Sequence, residues 1–223
     1  MGSGTRGARG HGWLKKYRAG LGGRHLQGRY YKRDVKKLVS MNDKVFGLNP
    51  TPSKAYLDLN VEGEVAPRRI TIELASTALP KTCENFVSLC QDQSSGYLSS
   101  RVFKIEKGAG MCLGDISEKN DGTEGKSYAS TQDATQSKTF GHEANLLSHA
   151  QKGMVSMLSP GLDKNDSRII ITTVDDAPQL DGKLVAFGRV QEGLDDIVDL
   201  ATNIFTKKGR PTLNIEVVGS GLM

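Results

Sequence analysis

The sequence predicts a mostly β fold: a closed antiparallel barrel capped by two helices, preceded by an extended basic arm. Three observations carry this. Short apolar segments alternate with period two between turn signals, as half-buried strands do. After residue 53 only two segments, opening at Pro80 and Leu194, repeat apolar residues at helical spacing. Charge is split along the chain: residues 1–53 hold 12 Lys/Arg and 2 Asp/Glu, a balance of +10, and the remainder holds 18 and 23, a balance of −5. That divides the chain into a basic extension and linker, 1–53, and a mildly acidic domain, 54–223.

The extension is rich in Gly and Arg, with aromatics interleaved, and cannot bury enough apolar surface to fold alone. Its chemistry suits an arm laid along RNA, with a protein surface as second choice. Arg6, Arg9, Lys15, Lys16, Arg18, Arg24, Arg29, Lys32 and Arg33 would neutralise phosphates, while Trp13, Tyr17, Tyr30 and Tyr31 would stack on bases or plug pockets. A solvated tail or an acidic-poor targeting segment is the plainer reading, and the latter suggests a mitochondrial address, with chloroplast, nucleus or cytoplasm as alternatives. Asp34 to Phe46 fits a short helix, ended by Gly47-Leu48-Asn49-Pro50-Thr51-Pro52.

In the domain, Ala55–Val61 and Arg69–Leu74 alternate around the turn Glu62-Gly63-Glu64. Pro80 suits the first turn of a helix that carries Cys83, Phe86, Val87 and Cys90 inward. Val102 to Leu113 is strand-like around Gly108-Ala109-Gly110, and Glu118 to Thr139 is polar and loop-like. Met154–Leu158, Ile169–Val174 and Lys183–Val190 read as strands, the last opened by the turn signal Leu180-Asp181-Gly182. Leu194–Ala201 is helical, and Leu213–Val218 is the closing strand.

No run of eighteen apolar residues occurs, so no membrane span is expected. Three cysteines fit neither a disulfide framework nor a metal box and read as reduced core thiols. His142 and His149 lack neighbours at metal spacing, so no metal and no cofactor is expected. Gly108-Ala109-Gly110 follows no strand-to-helix signature, which excludes a dinucleotide loop.

Four motifs, in order and at matching spacing, resemble the cyclophilins, the β-barrel peptidyl-prolyl isomerases. They are Pro80-Lys81-Thr82-Cys83-Glu84-Asn85-Phe86, Gly122-Thr123-Glu124-Gly125-Lys126-Ser127, Gly153-Met154-Val155-Ser156-Met157 and Leu180-Asp181-Gly182-Lys183-Leu184-Val185-Ala186-Phe187-Gly188-Arg189-Val190. The resemblance runs from about Ala55 to the C-terminus and implies an eight-stranded barrel. It also implies a groove in which an arginine, two residues after a phenylalanine, works against amide resonance. Matching motif to motif, that arginine falls on Ile105, which has no donor, and Lys104 falls on the opposite strand face. The groove glutamine falls on Leu113, a second glutamine on Arg168, and a pocket aromatic on Ile170. An Ala-Asn pair falls on Leu158-Ser159, a tryptophan on Gln179 and a histidine on Leu184. Met111 and Leu180 remain as in the family.

The expectation is therefore a catalytically silent, cyclophilin-like structural subunit, not an enzyme. Its arm would anchor it in a large multi-subunit assembly, first a ribonucleoprotein such as an organellar ribosome, and protein neighbours would meet the barrel surface. Three alternatives stand beside it: an accessory subunit of a respiratory or photosynthetic complex, a proline-peptide binding module, and a divergent isomerase using Lys104 or Arg168 as substitute donor.

Overall fold

In the computed structural model, residues 45–46 and 54–223 are described. The proposed arm residues, Arg6 to Arg33, and most of the helix expected over Asp34–Phe46 lie outside them. Val45 and Phe46 are helical and buried. They pack on Ala75, Leu147, Met154 and Ala186, with the Arg189 guanidinium 4.5 Å above the Phe46 ring.

The chain opens on β1 (Lys54–Val61), whose alternate residues are buried, and β2 (Arg68–Leu74). Helix α1 (Pro80–Gln91) starts at its proline and is followed by β3 (Lys104–Glu106) and β4 (Gly110–Leu113). The stretch expected to be all loop instead holds a one-turn helix, α2 (Tyr128–Gln132), capped by Ser127. Strands β5 (Phe140–Gly141), β6 (Met154–Met157), β7 (Lys164–Asn165) and β8 (Ile169–Thr172) follow. Then come β9 (Val185–Glu192), α3 (Leu194–Asn203), the short strands β10 (Thr206–Lys207) and β11 (Arg210–Pro211), and β12 (Ile215–Leu222).

Eight strands form one strongly curled antiparallel sheet in the order β12-β1-β2-β9-β6-β8-β4-β3. The segment just before β3 meets β12 through an Arg101–Glu216 bridge, with the Val102 amide donating to the Ile215 carbonyl at 2.9 Å. Closing the curl covers edges that would otherwise offer unpaired N–H and C=O groups.

Inside lies one continuous apolar core. Leu57, Leu59, Ile70, Ile72, Leu74, Val155, Val185, Phe187 and Val217 reach it from the strands. Helix α1 adds Cys83, Phe86, Leu89 and Cys90, with the Phe86 ring 5.3 Å from Tyr97 and 5.1 Å from Phe187. Each large side chain so buried contributes about 1.5–3 kcal/mol. The three thiols are free and buried. Burial pushes those of Cys83 and Cys112 up to about 12, so neither ionises near neutral pH.

Candidate functional site on the outer barrel face

Strands β3, β4 and β8 lie side by side in the pairs Lys104↔Cys112 with Cys112↔Ile170, and Ile105↔Met111 with Met111↔Ile171. Period two sends these two rows to opposite faces. Ile105, Met111 and Leu113 point into the barrel core, at 2%, 0% and 0% exposure. These three positions, expected to be the relics of a groove, are interior packing, because the β3–β4 turn fixes which residues face inward. Cys112 and Ile170, with Ala109, form a separate apolar patch on the outer face, joined by Phe103, Leu158, Leu180 and Leu184.

Most of the other expected groove positions gather there. Ile170 and Leu184 belong to the patch, and Ser159 and Arg168 line a recess beside it of about 340 Å³. That recess is also lined by Phe103, Lys104, Glu106, Cys112, Thr123, Leu158 and Pro160. Gln179 sits at the far edge, where its side-chain amide donates to the Gly108 carbonyl at 3.3 Å.

Two cations face the recess in different states. Arg168 is nearly spent: its guanidinium pairs with the buried Asp166 at 2.6 Å and donates to the Gly122 carbonyl, also at 2.6 Å. Lys104 is half-exposed and has a single partner, the Glu106 carboxylate, at 2.8 Å. That hydrogen bond holds the ammonium above the usual lysine range. Lys104 is thus the cation a ligand can reach, and it stands on the groove face rather than away from it.

The Gly122–Ser127 motif positions this wall. Gly122 has φ +86, and a Cβ there would lie 2.2 Å from the Phe103 ring, so only glycine lets that ring lie flat. A Cβ on Gly125 would lie 2.2 Å from the Asp166 carboxyl carbon. The fully buried Asp115 ties the loop down, accepting from the amides of Ser117, Asp121 and Gly122 at 2.9, 3.1 and 2.7 Å.

A second constellation looks chemical. His149 bonds Asp181 through Nδ1 and Ser156 through Nε2, each at 2.7 Å. All three are buried, His149 and Ser156 at 0% and Asp181 at 3% exposure, so no substrate reaches them. Their work is structural: they fasten the Leu180-Asp181-Gly182 turn beneath the patch. His142 is likewise satisfied, its Nε2 lying 3.1 Å from the Lys164 carbonyl. Among the described residues no His/Cys/Asp/Glu cluster could hold a metal, and no helix is long and apolar enough to cross a membrane.

The outer recess on a curled eight-stranded sheet defines the class, and sequence comparison defines the family. Residues 56–221 match the family described as cyclophilin-type peptidyl-prolyl cis-trans isomerase, and the chain belongs to it. It is 33% identical over 177 residues to peptidyl-prolyl cis-trans isomerase CYP21-1 of Arabidopsis thaliana, covering 76% of this chain and 75% of that one. It is 34% identical over 164 residues to peptidyl-prolyl cis-trans isomerase B of Saccharomyces cerevisiae, covering 73% of each. These relatives, named isomerases across most of the chain, correct the expectation of a silent, non-enzymatic subunit and point to an enzyme. One part of that expectation, the empty arginine position at Ile105, concerns a residue that packs into the core.

Proposed function

We propose that the domain is a divergent peptidyl-prolyl cis-trans isomerase that uses Lys104 as its cation. The observation that supports this is the placement of the Lys104 side chain on the wall of a recess of mixed lining, beside the apolar Phe103, Leu158 and Pro160 and across the ladder from Cys112.

Rotation about an X–Pro bond faces a barrier of about 18–20 kcal/mol because resonance spreads the nitrogen lone pair into the carbonyl. In the twisted state the lone pair returns to nitrogen. A donor aimed there is bound more tightly in the transition state than in either planar isomer, which is what acceleration requires. The Lys104 ammonium supplies that donor. Phe103, Leu158 and Pro160 supply apolar surface for the pyrrolidine ring. No covalent bond forms or breaks and no proton is consumed. Lysine lacks the planar fork of a guanidinium, so its hold on the twisted imide is a single charged contact.

The test is a prolyl-peptide turnover assay on the full chain and its Lys104→Ala variant. Removing such a donor lowers kcat/KM by about 10²–10³-fold. A half-exposed side chain leaves the melting temperature nearly unchanged. Turnover in the variant equal to that of the parent chain would reject Lys104, and no turnover in the parent would reject the isomerase reading.

A further inference from the structure

We propose that this site, taken as the isomerase groove argued above, prefers prolines flanked by acidic residues, and that the β10–β11 hairpin is what reads them. The hairpin turns on Lys208 and Gly209, with φ of 54° and 81°, a two-residue loop with both central angles positive. On its ladder Lys207 lies directly opposite Arg210. The tip is seated on β3. The Ile105 amide donates to the Gly209 carbonyl at 2.7 Å, and a Cβ on Gly209 would sit 3.4 Å from the Lys104 side chain.

A second recess, of about 420 Å³, is lined by Arg101, Lys119 and Arg210, and Phe103 lines both recesses. A peptide whose proline rests beside Phe103 extends toward this recess, where the three cations share the lining with Glu62 and Asp121. Local acids offset these three cations: Glu124 pairs with Lys119 at 3.1 Å and Glu216 lies 3.9 Å from Arg101. Asp121 lies 4.0 Å from Arg210, whose side chain is 66% exposed. Lys107, Lys207 and Lys208 are exposed, and none has an ion-pair partner among the described residues. The domain as a whole carries an excess of acid, 23 Asp/Glu against 18 Lys/Arg, so the unpaired lysines of the hairpin, whose tip packs on Lys104, and of the β3–β4 turn are a local reversal of sign. Such a reversal selects ligands of opposite charge by electrostatic complementarity.

The experiment compares kcat/KM of the full chain on two short peptides, Ala-Pro flanked on both sides by Glu in one and by Gln in the other. Two exposed charge pairs give a preference for the Glu peptide of about five- to tenfold, shrinking as salt is raised. The double variant Lys207→Glu/Lys208→Glu removes it. Equal kcat/KM on the two peptides, or a preference that survives the double variant, would overturn the charge reading while leaving the isomerase reading intact. Absence of turnover on both peptides would sink the isomerase reading instead. Titration of the same two peptides then still decides the charge preference, and equal affinities defeat it.

Discussion

The two faces of the β3–β4–β8 sheet are built from alternate residues of the same strands yet obey different rules. The inner row, Ile105, Met111 and Ile171, is closed aliphatic packing. The outer row, Lys104, Cys112 and Ile170, puts a cation beside an apolar floor at the mouth of a recess. One residue of register separates a core methyl from a groove ammonium. The lesson is that a residue lost from a motif position says nothing about a site until the face it occupies is known.

The hardest way to break this comparison is to put charge on the inner row. Matched by motif, Ile105→Arg restores the family's arginine and should improve turnover. On the structure it drives an unpaired guanidinium into a site 2% exposed. The expected cost is more than about 4 kcal/mol, read as a collapse of the urea or thermal unfolding midpoint. Gain of activity at an unchanged midpoint would exchange the two faces.

That slip shows what the sequence could and could not convey. Strand β1 and both long helices were legible within a residue or two, because alternation and the proline at the start of α1 are local signals. The expected closing strand, Leu213–Val218, stops four residues before the end of β12. Gly219 and Gly221 broke its pattern, yet each is glycine so that the Asp58 and Tyr56 side chains can cross the strand. Helix α2 is one polar turn held by its Ser127 cap, with no apolar stripe to announce it. At the site, Phe103, Arg168, Ile170 and Leu184 could be picked out as neighbours only through family resemblance. Which of Lys104 and Ile105 faced outward could not, because a match across the Gly108-Ala109-Gly110 turn is blind to a one-residue shift, and such a shift inverts every side chain. The signal that could have decided it was chemical: an isoleucine beside a lysine on a barrel strand places the isoleucine inside.

A milder change tests the outer wall. Gly122→Ala sets a methyl against the Phe103 ring at a φ of +86. The left-handed backbone costs about 1–3 kcal/mol for a residue with a Cβ. Displacement of the ring should lower kcat/KM by about tenfold while the barrel stays folded. If the outer face is only a covering for the core, stability falls and turnover of the folded fraction does not.

The gentlest test asks whether the outer cation works as a cation. Lys104 is held above its ordinary pKa chiefly by the hydrogen bond from its ammonium to Glu106. A raised pKa in the folded chain means the pairing is fully present below the unfolded lysine value, about 10.4, and is lost only as pH rises through the folded value. The pH profile of kcat/KM should therefore be flat from neutrality to about pH 10 and fall only above it. Glu106→Gln loosens the hold in two ways. The alkaline fall moves to lower pH, and the plateau rises about two- to threefold, because the ammonium no longer divides its charge between a carboxylate and the imide. A rate that climbs as Lys104 loses its proton would assign the chemistry to a neutral group and remove the distinction between the two faces.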